Sequence, residues 1–133
     1  MLFLLIVSTS AFSQDVRQQV FDELNAMRVT KHRAPLVYNA SYQDDCDRWA
    51  AKLPKSFVHS GAKKKGETIS TILGNPDLII PQFMLSEPHK KILMDKSAKE
   101  VCISVYEMPA DTIVKKNSVE YVPKAFYTVI RTY

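Results

Sequence analysis

Val16, Val20, Leu24 and Met27 recur at helical spacing in QDVRQQVFDELNAMRVTKHR, with Phe21 beside them and polar residues between. The pattern predicts an amphipathic helix running to about Arg28. Asp15 followed three residues later by Gln18 has the form of a capping box at its start. Pro35, in APLVYN, breaks the pattern. In NASYQDDCDRWAAKL, Tyr42, Cys46, Trp49, Ala50 and Leu53 make one continuous stripe, the clearest helix in the chain. Asn39 or Ser41 suits its cap, Asp44 and Asp45 suit the positive end of its dipole, and Pro54 stops it. Trp49, on this stripe, is expected in the core.

Residues 55–75 are polar, punctuated by glycine and without a clear period, and are read as irregular chain. NPDLIIPQFML then predicts a helical segment opened by Asn75 and Pro76, with Pro81 as a restart. SEPHKKILM predicts a second short helical turn with Pro88 near its first position. From there the period changes. EVCISVYEM alternates Val101, Ile103 and Val105 with Cys102, Ser104 and Tyr106, the periodicity of a strand. SVEYV and AFYTVIRTY repeat it, separated by turn-like segments at 109–111 and 123–124.

Helices first and strands last is the order of an α+β domain in which helices cover an antiparallel sheet toward the C-terminus. The final strands have no polar face: Tyr127 and Val129 oppose Phe126 and Ile130. Both faces of the sheet are therefore expected to be covered.

Composition narrows this picture. A chain of 133 residues is one domain's length, and 46% hydrophobic with 24% charged residues is the balance of a folded globular protein. Only three glycines argue against a turn-rich sandwich or barrel. A net charge of +4 favours anionic surfaces weakly and does not by itself indicate nucleic-acid binding. Lys63, Lys64 and Lys65 are read as a solvated loop, with contact to an anionic glycan, lipid headgroup or phosphate as the alternative. No aromatic residue interleaves with them, which argues against nucleic acid as the partner.

The N-terminal MLFLLIVSTSAFSQ places an apolar run at 2–7 before small and polar residues, the form of a secretory signal peptide cleaved between Ser13 and Gln14. The run is far shorter than the roughly 18 apolar residues that span a bilayer, so no transmembrane span is expected in the mature chain. No Lys or Arg precedes it, and a buried N-terminal strand is the alternative. The expected division is a signal peptide at 1–13 and one domain at 14–133, in an extracellular or periplasmic compartment. Cys46 and Cys102, the only cysteines, can form one bridge there or remain two packed thiols.

One ordered set of motifs resembles a known family. Leu24, Asn25 and Arg28 on the first helix, Pro35-Leu36, Trp49-Ala50, His59-Ser60, Gly66-Glu67-Thr68-Ile69, and Phe83, Ser86, His89, Ile92 and Leu93 are similar to the CAP superfamily. That family comprises the cysteine-rich secretory, antigen 5 and pathogenesis-related proteins; the match is to its bacterial SCP-like branch. The resemblance covers nearly all of residues 14–133. Thr68 stands where the family has Asn, Phe83 where it has Trp, and Glu87-Pro88 where it has Pro-Gly, which makes this a divergent member. The fold implied is a three-layer α-β-α sandwich.

In the family, two histidines and two acidic residues line a cleft that can bind a divalent metal. Carried over by motif, His59, Glu67 and His89 fill three of these places, and Ser86 takes the place of the second acid; the adjacent Glu87 would be rotated by about 100° on a helix. Two imidazoles and a carboxylate are donors that zinc or another divalent metal accepts, with a fourth position for water, and such a metal could activate that water as a nucleophile. Without a metal, Glu67 could orient or accept a proton from an imidazole. The structural alternative is a polar cluster pinning the long loop to the helices. Three functional readings follow: a secreted module binding a small ligand, lipid or metal in a His/Glu cleft; a metal-assisted hydrolase of an extracellular polymer with His59, Glu67 and His89 as its catalytic candidates; and an interaction protein working through its surface.

Overall fold

A computed structural model describes residues 11–133; the apolar run at 2–7 lies outside the described residues. The first described element, β1 (Ala11–Phe12), pairs antiparallel with β4 (Glu100–Met108). Helix α1 covers Gln14–Thr30. Its cap is Ser13, whose hydroxyl accepts from the Val16 N–H at 3.3 Å, so the start lies two residues before the expected box at Asp15. A cut between Ser13 and Gln14 would remove this cap together with β1. At the other end His32 takes a left-handed φ of 57°. Its N–H donates to the Val29 carbonyl and that of Arg33 to the Arg28 carbonyl, which closes the helix by a Schellman motif.

The family-like residues of α1 prove to be structural. Leu24 is fully buried. Asn25 holds Leu36 from both sides, donating to its carbonyl at 3.0 Å and accepting from its N–H at 2.8 Å. That fixes the chain into β2 (Val37–Tyr38), which pairs parallel with β4. Asn39 then caps a short 3-10 turn, Ala40–Tyr42, leading into α2 (Gln43–Lys52). Trp49 is half-buried rather than central; its indole N–H donates to the Val58 carbonyl at 3.0 Å and holds the following loop.

Residues 66–73, read from the sequence as irregular, form strand β3 (Gly66–Leu73). Its inward positions include Thr68 and Ser70, small hydroxylated side chains that gave the segment no apolar alternation. Next come α3 (Ile79–Met84) and α4 (Glu87–Leu93). Pro81 falls in the first turn of α3, where no N–H bond is needed, so it does not restart the helix. Strand β5 (Asp111–Lys115), which includes the end of an expected turn, pairs with β6 (Ser118–Val122) as a separate hairpin. Strand β7 is Ala125–Thr132.

The main sheet runs β1-β4-β7-β3, with β2 on the same edge of β4 as β1. Its register sorts the side chains into two layers. Ile72, Phe126, Ile130, Val101, Ile103 and Val105 meet α1, α3 and α4 on one face. Ile69, Val129 and Cys102 meet Cys46 and Ala50 from α2, and Leu53 at its C-cap, on the other. The result is an α-β-α sandwich with both faces covered, as the alternation in β7 requires. Gly66 has a steric reason to be glycine: a Cβ there would lie 2.6 Å from Ile92 Cγ2, so its absence lets α4 close onto β3.

Cys46 and Cys102 are both buried free thiols. The neighbouring Cys102 thiol and burial push the Cys46 thiol well above its ordinary range, which keeps it protonated and unreactive.

Candidate functional site

The loop between α2 and β3 returns to the sheet through Glu67. One carboxylate oxygen, Oε1, accepts from the Ser60 N–H at 2.8 Å and lies 3.0 Å from His59 Nδ1. The other, Oε2, accepts from Ser60 Oγ at 2.6 Å and from Arg131 Nε at 2.7 Å. Arg131 continues the chain of charges by donating to Asp45 at the start of α2. Glu67 and Arg131 are each only 1% exposed, whereas the His59 ring is 57% exposed. Burial, the largest single effect, would push the Glu67 carboxyl up. The bonds from Ser60, Arg131 and His59 together outweigh it and hold the group below the usual carboxylate range. Arg131 is held above its ordinary value by Glu67 and Asp45, despite a larger opposing effect of burial.

His59 and Glu67 therefore meet as expected, but what they build is a brace. The partners the sequence reading missed are Arg131 and Asp45. A lone arginine between Ile130 and Thr132 in an otherwise uncharged strand was the available signal, because a buried charge requires a partner. The lysine run is also less free than expected. Lys64 Nζ turns back to the carbonyls of Ser60 and Ala62 at 2.9 and 2.7 Å, and Lys65 Nζ reaches Ser97 Oγ at 2.8 Å.

His89 and Ser86 lie on α4 and line a groove of about 410 Å³ with Phe57, Ile69, Ser70, Thr71, Gln82 and Phe83. The ring of His89 stands edge-on to Phe83, with centroids 5.2 Å apart. Burial, and secondarily the charge of His59, lower its pKa, so the imidazole is neutral at pH 7 with one donor and one acceptor nitrogen. Ser86 is the N-cap residue of α4, yet its hydroxyl makes no capping bond. Glu87 does not replace the missing acid: its side chain is 87% exposed and turns toward Lys90.

As arranged, these donors do not fit a metal. Among the described residues no group of three His, Cys, Asp or Glu side chains is placed to hold an ion. Both oxygens of Glu67 are engaged by Ser60 and Arg131, so coordination would require breaking a buried ion pair. Titration with zinc is accordingly expected to leave the melting temperature unmoved. A zinc-dependent rise that disappears in a His59→Ala, His89→Ala double variant would show that the loop rearranges to release the carboxylate.

No protein-family model matches the chain, and no curated protein matches it significantly in sequence. Among solved structures it is similar to an outer surface protein of Borrelia burgdorferi, at 10% identity and a TM-score of 0.60, over 93% of this chain and 98% of that one. It is similar to an extracellular protein containing a SCP domain from Bacillus anthracis, at 13% identity and a TM-score of 0.57, over 88% of this chain. A cysteine-rich secretory protein from Staphylococcus aureus matches at 16% identity and a TM-score of 0.50, over 89% of this chain. The chain spans 40% and 38% of the lengths of the latter two. Taken with the α-β-α layering, these likenesses establish the architecture: the chain has a CAP-like fold, shared with SCP-domain proteins.

Proposed function

We propose that this chain is a divergent CAP-domain protein that acts outside the cytoplasm as a binding module, and that its ligand sits in the groove between α4, β3 and Phe57. The observation that carries the reading is the groove wall itself. A neutral imidazole and a serine hydroxyl with no capping bond stand beside the rings of Phe57 and Phe83 around a hollow of about 410 Å³. Apolar lining with a few convergent polar groups is what small-ligand sites use. Two similar proteins are described as extracellular and secretory, and among the described residues no helix is long and apolar enough to cross a membrane. The apolar segment at 2–7 fits a route of export.

In this reading His59 and Glu67 support the groove and do not contact the ligand. A hydrolytic role through Glu67 lacks support, because a carboxylate held by Arg131 and Ser60 is a weak base. A fragment-library screen followed by NMR tests the binding role. Bound fragments are expected to shift the resonances of His89, Ser86, Gln82 and Phe57, and His89→Ala is expected to weaken them about tenfold. Its melting temperature should change little. Shifts confined to the open basic depression around Arg33, Lys90, Lys91 and Lys96 would overturn the assignment, as would no shifts at all.

A further inference from the structure

Among the described residues strand β3 is the edge of the main sheet and bonds to β7 alone. Which of its backbone groups point outward follows from the ladder. Gly74 N–H donates to the Lys124 carbonyl at 2.7 Å, extending the β3–β7 register by one pair. On the opposite side of β7, Tyr133 and Glu100 exchange both of their bonds. Antiparallel pairs alternate between bonded and unbonded, so the even-numbered residues of β3 bond to β7. The odd-numbered residues, Ile69 and Thr71 among them, direct their N–H and C=O away from the sheet. The Leu73 carbonyl accepts from the Asn75 N–H at 3.0 Å where the strand ends; among the described residues no side chain or loop donates to or accepts from the outward groups of Ile69 and Thr71.

The groove lies along this edge. Three consecutive β3 residues, Ile69, Ser70 and Thr71, line it, although the side chain of Ser70 points to one face of the sheet and those of Ile69 and Thr71 to the other. A hollow that meets successive residues of a strand regardless of face is meeting the strand's backbone. Phe83, Ser86 and His89, from α3 and the start of α4, and Phe57, from the loop after α2, complete its lining.

We propose that the ligand of this groove is an extended peptide segment, which adds to β3 as a further strand. The inference rests on the binding role proposed above. The backbone of the peptide pairs with Ile69 and Thr71, and those two residues, spaced by two, supply two donors and two acceptors. Side chains of a strand alternate, so one peptide side chain enters beside Phe83 and within reach of His89 and Ser86, and its neighbours lie against Phe57. Main-chain bonds would supply affinity, and the imidazole and hydroxyl would select a polar-tipped side chain on the α4 side. An extended peptide fits the pairing requirement better than a compact small molecule, which cannot satisfy edge groups one strand repeat apart.

The test is selection of nonapeptides from a random displayed library against the full chain, followed by N-methylation of each backbone nitrogen of a selected peptide. Strand addition predicts a period of two: methylation at alternate positions weakens binding about tenfold or more, and methylation at the positions between is tolerated. On the protein side, Thr71→Pro removes an outward N–H without touching the even-numbered ladder and is expected to abolish binding, while Thr71→Val retains it. No selected peptide, or a methylation profile without the alternation, would overturn the proposal. If fragments still shift His89 and Ser86 in that event, the groove remains a binding site and only the peptide assignment falls.

Discussion

Replacing Glu67 by alanine is expected to destabilise the protein by about 3–5 kcal/mol at pH 7, because it strands a buried guanidinium. Arg131 is 1% exposed, and the ion pair left to it among the described residues would be with Asp45, which is half exposed. The Ser60 N–H and hydroxyl would lose their acceptor, and the loop would lose its attachment to β3. For a domain of this size, the loss corresponds to a fall of roughly 10–20 °C in melting temperature. Glu67→Gln keeps the shape and part of the hydrogen bonding and should fall between. The sign of the pH dependence follows from the same contacts. Glu67 and Asp45 are both held below their ordinary carboxyl range in the folded chain, Asp45 chiefly by Arg131. Their contribution is therefore present above the unfolded values of about 4 and is lost as pH falls through the lower folded values. Melts from pH 7 to pH 3 should show wild-type stability dropping at the acid end and a flatter profile in Glu67→Gln. An alanine variant melting within about 2 °C of wild type would refute the brace.

Arg28→Met should cost nearly as much, about 3–4 kcal/mol, by a different mechanism. Arg28 is fully buried and forms no ion pair among the described residues; it gathers backbone carbonyls instead: Ala34 at 2.8 Å, Leu93 at 2.7 Å and Asp95 at 3.1 Å, with Ala98 at 3.5 Å. Leu93 ends α4, so this one side chain satisfies a helix-terminal carbonyl and joins α1 to the approach to β4. Methionine fills the volume and leaves those carbonyls unpaired. Lysine keeps the charge but cannot fork between carbonyls on different segments, so Arg28→Lys should recover only part of the loss. Urea unfolding is the measurement. Equal midpoints for Arg28→Lys and wild type would show that charge, not the fork, is what matters.

Both residues stand in motifs that the sequence presented as a family signature, and in both the structure gives a mechanical reason for the residue type. Leu24, Asn25 and Arg28 organise the chain after α1; Gly66 admits α4, and Glu67 anchors the loop. The functional reading shifts accordingly. His59 and Glu67, expected to face a ligand, meet in a brace with Ser60 and Arg131, and the function proposed above places the ligand instead beside His89, Ser86 and Phe57, the last of which no motif singled out.

Periodicity determined the elements that bury one face or both: α1, α2, β4 and β7 are written in the spacing of their apolar residues, because spacing records directly which side of an element avoids water. β3 was hidden for the same reason, since Thr68 and Ser70 are buried without being apolar. What only the tertiary structure decided is which charges meet. Glu67 and Arg131 are 64 residues apart in the chain and directly opposite each other in the β3–β7 register. A slip of one residue would send one of the two to the other face of the sheet. That register is fixed by packing summed over the whole sheet, and no local pattern carries it.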